Sequence, residues 1–272
     1  MAVELDLPEA NDVVIDCDVF VGLDAGSGVA GGRSLTATDL VSEMDRVGVT
    51  TAVVYHVVAR EHAPMLGNKL LLAEIRDHPR LIPAFIMLPT HTGEQPPLAE
   101  LMAQIKEQGV RLARMFPASD LAGHRFAFRE WCVGDVLSAL ESANIPLMLD
   151  FSLFRRGEPP WDDIYETYRL HPDLQLVLAD VQGRNNRNLY PLLDRFPNIR
   201  LCSSGLNVHS GLEDICDRFG AERLLLGSGA PVRSMGAAKF HVDRADLNQK
   251  QRTQLLGDNA AALLGLDIEI RS

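Results

Sequence analysis

The segment VVIDCDVFVG, residues 13–22, is an apolar, β-branched run that is interrupted by two carboxylates. A nearly continuous apolar run of this length predicts a strand that is buried on both faces, as strands of parallel sheets are. Similar runs recur along the chain at intervals of about 30 residues, the length of a strand with its crossover helix. The eight predicted strands centre on Val14, Val53, Phe85, Leu112, Leu147, Val177, Leu201 and Leu225.

Amphipathic segments separate these predicted strands. The helical patterns cover residues 37–47, 64–77, 98–107, 129–143, 161–170, 186–195, 210–219 and 244–264. Gly48, Gly109 and Gly220 stand where helices should end, because glycine favours the left-handed conformation of a helix C-terminus. Eight alternating units without a linker predict an α/β fold, a closed (β/α)8 barrel rather than an open doubly wound sheet, with residues 1–272 forming a single domain.

The composition restricts the classes of partner. A formal net charge of -11 disfavours nucleic acid and anionic membranes as partners. The ligand is expected to be a small anionic molecule that is held by Arg114 and Arg184. The chain has neither a signal-peptide pattern nor an apolar run of the ~20 residues that a membrane span needs, which predicts a cytoplasmic protein. Four scattered cysteines without a CxxC pair predict free thiols. A homo-oligomer remains open.

A glycine-rich segment, Gly26–Gly31, matches the GxGxxG pattern of dinucleotide-binding loops. Its context does not fit, because the glycines begin several residues after the strand, and the second predicted strand ends in His56 where an acidic residue would hold the ribose. We therefore expect no dinucleotide site. The segment from Gly26 to Gly32 is interpreted as a loop of the barrel mouth, with a lid as one hypothesis.

Polar residues end several predicted strands. In a (β/α)8 barrel the chemistry lies at the carboxyl ends of the strands, so these residues are the site candidates. Asp18, Asp150 and Asp180 belong to the first, fifth and sixth predicted strands, while His56 and Arg114 end the second and fourth. We expect Arg114 to form a bidentate pair with Asp150, and His56 to approach Asp18. Asp16 is expected to be structural, hydrogen-bonded to backbone.

Four segments resemble motifs of the amidohydrolase-related family, which includes aminocarboxymuconate-semialdehyde decarboxylase-like enzymes and several lactonases. Ile15–Gly22 is similar to the I-D-x-H-x-H-x-G of strand one, and Gly227–Pro231 to the G-S-D-x-P of strand eight. His78–Pro83 resembles the lead into strand three, and Gly257–Leu264 resembles the closing helix. The resemblance spans nearly the whole chain and implies a metal-dependent-hydrolase-like barrel with hydrolase or carbon–carbon lyase activity.

The same resemblance shows a departure at the metal site. Family members usually hold a divalent metal, commonly zinc, with two His of strand one, a His ending strand five and an Asp in strand eight, while a His ends strand six. The matching residues here are Asp18, Phe20, Asp150, Asp180 and Gly229. A phenyl ring and a hydrogen cannot coordinate, and three carboxylates would suit Mg, Mn or Ca rather than zinc. We expect no metal and no other cofactor, with protein cations neutralising the carboxylates.

These observations lead to a set of role assignments. The predicted catalytic residues are Asp18, Asp150, Asp180 and His56, and the predicted substrate-binding residues are Arg114, Arg184, His209, Phe20 and Ser228. For the aspartates, a structural role as loop caps or ion-pair partners is the alternative, and His209 would otherwise be a solvated loop residue. The remaining histidines are expected at the surface, and Trp131 and Trp161 are expected to pack helices on the barrel.

Three functional hypotheses follow. The first is a metal-independent hydrolase, lactonase or decarboxylase-type enzyme that acts on a small carboxylated substrate at the barrel mouth. The second is a noncatalytic relative that kept the barrel as a binding or structural module. The third is a hydrolase that holds Mg or Mn with its aspartates.

Overall fold

The computed structural model describes residues 13–24, 33–117, 124–150 and 159–267. The strands are β1 (Ile15–Asp24), β2 (Arg33–Leu35), β3 (Thr51–His56), β4 (Leu81–Ile86), β5 (Leu112–Met115), β6 (Leu147–Asp150), β7 (Leu176–Ala179), β8 (Ile199–Cys202) and β9 (Leu224–Leu225). The helices are α1 (Ala37–Val47), α2 (Val57–Glu61), α3 (Pro64–Glu74), α4 (Leu98–Glu107), α5 (Glu130–Ser142), α6 (Trp161–Tyr168), α7 (Asn186–Arg195), α8 (Gly211–Phe219), α9 (Met235–Arg244), α10 (Gln249–Thr253) and α11 (Asn259–Leu264).

The strands form a single barrel domain. β1 and β3 to β9 lie in chain order and pair in parallel, while β2 lies antiparallel to β1. The barrel closes between its first and last strands, because the Cys17 amide donates to the Leu226 carbonyl at 2.9 Å and the Gly229 amide donates to the Asp18 carbonyl at 2.8 Å. The predicted (β/α)8 architecture is therefore confirmed.

Each strand is apolar because both of its faces are covered. Side chains such as Ile15, Val53, Met148 and Val177 fill the barrel interior. The outward-facing side chains pack beneath the helices in a second, larger cluster. Burial on both faces explains why the strands read as continuous apolar runs in the sequence.

The predicted helix over residues 244–264 is wrong in its first part. The chain leaves the helical conformation after α9, and α10 begins only after Asn248, whose side chain and that of Gln251 form a capping box. Arg252 accounts for the break, because its guanidinium donates to four carbonyls at the end of α9 and in the following segment. The last turns also contain a π-helical segment, Gln254–Asp258, which leads into α11.

Two expectations about side-chain burial are also wrong. Trp131 is 74% exposed on the first turn of α5 instead of packing that helix on the barrel, whereas Trp161 does pack against the core. His171 is 3% exposed rather than lying at the surface, because its Nε2 pairs with Glu130 Oε2 at 2.8 Å. Within the described residues, no helix has the length and apolarity to cross a membrane. The segment from Gly26 to Gly32 lies outside them.

The packing of α3 on α2 predicts an effect of Gly67→Ala. A Cβ at Gly67 would lie 2.0 Å from the backbone nitrogen of Ala59, and a main chain cannot move aside as a side chain can. We expect Gly67→Ala to lower the free energy of unfolding in urea by about 1–3 kcal/mol. Gly236→Ala is the matched control, since its Cβ would meet the Val47 side chain at 3.1 Å. An equal loss in both variants would contradict this account.

Candidate active site

Polar side chains gather where the carboxyl ends of the parallel strands meet. Asp18 lies in β1, Arg114 in β5 and Asp150 at the end of β6. Asp180 follows β7 directly, and Arg233 lies between β9 and α9. All but Arg233 are buried, so their charges interact in a medium that screens them far less than water does.

Arg114 joins two of these carboxylates. Its Nη2 lies 2.6 Å from Oδ1 of Asp18 and also contacts Oδ2 of Asp150. The expected Arg114–Asp150 pair is therefore present, but it is not bidentate, because one nitrogen serves both acids. The buried Nε of Arg114 has no hydrogen-bond partner among the described residues.

The guanidinium stabilises Asp18 as an anion. Burial alone would raise the pKa of Asp18, but the charge and hydrogen bond of Arg114 outweigh it and hold that pKa below its usual value. Burial also disfavours the charged form of Arg114, yet the two carboxylates keep the pKa of the guanidinium well above its ordinary value. Removing Arg114 would leave two buried carboxylates without this cation.

Aromatic rings hold the guanidinium in place. The Arg114 Cζ lies 4.5 Å from the ring centroid of Tyr55 and 5.0 Å from that of Phe116. A second arginine, Arg60 of α2, lies 4.9 Å from the centre of the Phe20 ring and donates to the Tyr55 hydroxyl at 3.1 Å. Phe20, predicted to bind substrate, is 4% exposed and part of this stack. The stack and α2 fill the part of the mouth above β1, β3 and β4.

Asp180 forms a second ion pair on the opposite side. Its Oδ1 accepts from Arg233 Nη2 at 2.5 Å, and Arg233 Nη1 donates to the Ser204 carbonyl at 2.7 Å. Burial raises the pKa of Asp180 to about 6, with Asp150 and Asp18 adding to the rise and Arg233 opposing it. This carboxyl therefore changes its charge close to neutral pH, as acid–base groups of enzymes do.

The backbone of Asp180 is itself unusual. Its φ of 55° lies in the left-handed region, which aspartate tolerates better than most residues. Gly205 makes this conformation possible, because a Cβ at that position would lie 2.6 Å from the Asp180 carbonyl carbon. The conformation turns the carboxyl toward Arg233 as the chain leaves the strand.

An open cleft of about 450 Å³ adjoins this pair. Its described lining comes from the segments after β7, β8 and β9, and consists of Asp180, Gln182, Gly183, Gly205, Asn207, Val208 and Arg233. The Arg233 side chain is 30% exposed, whereas that of Asp180 is 4% exposed. A small ligand in the cleft would therefore meet the guanidinium first and the carboxyl behind it.

The expected approach of His56 to Asp18 is wrong. His56 Nδ1 accepts from the Val58 amide at 3.2 Å and so caps α2, while Asp18 pairs with Arg114. Partial burial lowers the pKa of His56, which favours its neutral form. The imidazole ring of His56 packs against Gly22. A Cβ added at Gly22 would lie only 2.9 Å from His56 Cε1. The described contact of His56 is therefore the cap of α2, and its predicted catalytic role stays a prediction.

The other predicted site residues differ in placement. Ser228 is 2% exposed and its amide donates to Asp16 Oδ1, so it supports the floor of the mouth. His209 is exposed beside the cleft-lining residue Val208. Arg184 belongs to the short turn Gly183–Asn185, and its side chain lies outside the described part of the structure.

Sequence reasoning missed Arg233 and the Arg60–Tyr55 stack. Arg233 stands two positions after the Gly227–Pro231 motif, and its position just beyond the last strand is the signal that marks it. Tyr55 was hidden because it precedes the strand-ending His56 and reads as part of the apolar run. Arg60 belongs to a short helix that periodicity does not reveal.

The donor set does not fit the metal that the family resemblance implies. Asp18 and Asp150 are bridged by the guanidinium of Arg114, so their facing oxygens already hold a cation. Phe20 stacks on Tyr55 with 5.5 Å between ring centroids, and Gly229 has no side chain to offer. Among the described residues, no group of three His, Cys, Asp or Glu side chains is arranged to hold an ion.

The strand order and the polar mouth define a (β/α)8-barrel protein. The sequence model of the amidohydrolase family matches residues 15–266, so the chain belongs to that family. No curated protein sequence matches the chain.

Solved structures share the fold at low sequence identity. An uncharacterised TIM-barrel protein from Bordetella bronchiseptica superposes with a TM-score of 0.73 and 16% identity, covering 93% of this chain and 98% of that one. The structure of 2,6-dihydroxybenzoate decarboxylase from Rhizobium superposes with a TM-score of 0.70 and 16% identity, covering 94% of this chain and 99% of that one. Dihydroxybenzoic acid decarboxylase from Polaromonas sp. JS666 was solved with bound manganese and the inhibitor 2-nitroresorcinol. Its structure superposes with a TM-score of 0.72 and 16% identity, covering 96% of this chain and 98% of that one. At such identity, the likeness shows the fold alone.

Asp16 predicts a pH dependence of stability. As expected, it binds backbone, since its Oδ1 accepts from the amides of Asp18 and Ser228, while its buried Oδ2 has no partner among the described residues. Burial raises the pKa of Asp16 to about 7 from 3.8. Between these values the folded state holds a proton that the unfolded state lacks, so this group's contribution to stability falls as pH rises, by about 1.4 kcal/mol per unit.

Asp16→Asn should remove this slope, because the amide oxygen can keep both backbone hydrogen bonds. Urea unfolding at pH 5 and pH 7 should show wild type losing about 2–3 kcal/mol more than the variant over that interval. Asp135→Asn, on the exposed face of α5, is the control and should behave like wild type. Parallel stability curves for wild type and Asp16→Asn would contradict the assignment.

Proposed function

We propose that the protein is a metal-independent enzyme of the decarboxylase type, which acts on a small carboxylated substrate in the cleft beside Asp180 and Arg233. The observation that carries the proposal is the ion pair that faces the cleft. In this pair the Asp180 carboxyl, with a pKa of about 6, contacts the partly exposed guanidinium of Arg233. Acid–base catalysis needs a group that titrates near the working pH and lies within reach of the substrate. The decarboxylases that share this fold support the choice of reaction.

The Asp180–Arg233 pair supports an anionic ligand coupled to a proton. Arg233 contacts Asp180, whereas Arg114 contacts Asp18 and Asp150. An anionic group of the substrate that binds Arg233 competes with Asp180 for it. Asp180 would then lose its main stabilising cation and take up a proton, since burial and the neighbouring acids already raise its pKa.

The protonated carboxyl supplies what decarboxylation requires. When the bond between a carbon and its carboxylate breaks, the electron pair stays on that carbon and carbon dioxide leaves. The carbon then takes the proton of Asp180, which returns to its anionic form and pairs again with Arg233. Arg114, Asp18 and Asp150 form a fixed charged floor that needs no reorganisation during the reaction.

A lactonase or other hydrolase is the second candidate, and the same ion pair favours it. There the ionised Asp180 would accept a proton from the attacking water, while Arg233 would donate to the developing oxyanion. The two reactions need opposite protonation states of Asp180. The pH profile therefore distinguishes them.

The experiment measures carbon dioxide release, and in parallel ester or lactone hydrolysis, from a panel of small carboxylates that includes hydroxybenzoates and aliphatic dicarboxylates. For a decarboxylase, kcat/KM should fall about tenfold per pH unit above pH 6, because Asp180 must be protonated. For a hydrolase, kcat/KM should instead fall below that pH. Asp180→Asn should lower kcat by about 10²–10⁴ in either case.

Control variants separate chemistry from binding. Asp217→Asn, exposed on α8, should keep the wild-type rate and profile. Arg233→Met should weaken substrate binding. An Asp180→Asn variant with unchanged kcat would remove Asp180 from the mechanism. Ligands that raise the melting temperature of wild type but not of Arg233→Met, and that yield no product, would favour the noncatalytic alternative.

Metal independence has its own test. Protein treated with EDTA and then desalted should keep its full rate, because the proposed steps use only Asp180 and Arg233. Elemental analysis of protein purified without chelator should find less than one divalent ion per chain. Loss of activity with EDTA and recovery with Mn²⁺ or Mg²⁺ would instead support the aspartate-held metal of the third hypothesis.

A further inference from the structure

We infer that Arg114 is a built-in substitute for a divalent cation, and that a single neutral substitution at this position creates a binding site for a hard metal ion. This inference concerns the floor of the mouth and goes beyond the proposed reaction, since it is read from ion binding without any substrate. It rests on the arrangement of Arg114, Asp18 and Asp150.

The two carboxylates converge from different strands on one point. Asp18 comes from β1 and Asp150 from β6, yet one nitrogen, Nη2 of Arg114, contacts an oxygen of each. Their side chains are 9% and 3% exposed, so water solvates them poorly. Two carboxylates that converge in this way repel each other, and the Arg114 guanidinium is a cation that lies between them.

The guanidinium is fixed at that point. Tyr55 and Phe116 lie 4.5 and 5.0 Å from its Cζ, and Arg114 is 2% exposed, which leaves the side chain no room to swing away. Hard divalent ions bind carboxylate oxygens at about 2.0–2.6 Å, the space that Nη2 now occupies. A divalent ion would therefore have to displace a buried, hydrogen-bonded cation, so the native mouth should not bind one.

Arg114→Gln tests the substitution directly. Glutamine removes the positive charge and shortens the side chain, which opens space between the two carboxylates. Its amide oxygen adds a third oxygen donor, and waters can complete the coordination that Mn²⁺ prefers. The variant should bind one Mn²⁺ per chain, at least about tenfold more tightly than wild type.

Binding is measured by the loss of the free Mn²⁺ electron paramagnetic resonance signal on titration, and by the Mn²⁺-dependent rise in melting temperature. Wild type should show neither effect at the mouth. Arg114→Gln combined with Asp150→Asn should lose the binding, because one of the two anions is gone. Arg80→Gln is the matched control, since Arg80 pairs with the single carboxylate of Asp45 away from the mouth.

Every outcome decides the inference. Mn²⁺ binding by Arg114→Gln that requires Asp150 supports it. If the variant does not fold alone, refolding from urea with and without Mn²⁺ replaces the titration, and only Mn²⁺-dependent recovery supports it. Stoichiometric Mn²⁺ binding by wild type, or a variant that neither binds nor is rescued by Mn²⁺, overturns it. Turnover data do not enter, so the proposed reaction can fail or succeed separately.

Discussion

The contact of one arginine nitrogen with two buried carboxylates is the constraint around which the barrel mouth is arranged. Asp18 and Asp150 keep the pKa of the buried Arg114 well above its ordinary value, and Arg114 in turn holds the pKa of Asp18 below its usual value. The rest of the mouth follows from this need. Aromatic rings cover the guanidinium, a second arginine stacks on them, and an open cleft lies where β7, β8 and β9 end.

The sequence predicted much of the fold because the fold depends on strong, local patterns. Apolar runs mark strands that are covered on both faces, and helix-ending glycines mark boundaries such as that of α1 at Gly48. The pattern is less informative at β9, which has only two residues. The barrel closes there through individual hydrogen bonds between β1 and the segment after β9, which no sequence pattern marks. The break between α9 and α10 was missed because it depends on Arg252 reaching back to distant carbonyls.

The site was harder to predict because its contacts join residues far apart in the chain. The Arg114–Asp150 pair could be predicted, since their strands are neighbours in the barrel. The sequence could not predict that Asp18 pairs with Arg114 rather than with His56, because this pairing depends on how far the side chains reach across the barrel. Family membership fixes the barrel, whereas the chemistry of the mouth has to be argued from the residues that are present there.

Gly205 has a consequence for recognising relatives of this protein. Its missing side chain leaves room for the backbone of Asp180, and the Asp180 carboxyl meets an arginine that lies 53 positions further along the chain. These three residues depend on one another sterically and electrostatically, although none belongs to a shared short motif. A database member that carries the aspartate, the glycine and the arginine together is expected to share this pocket, whereas one that keeps only the barrel pattern is not.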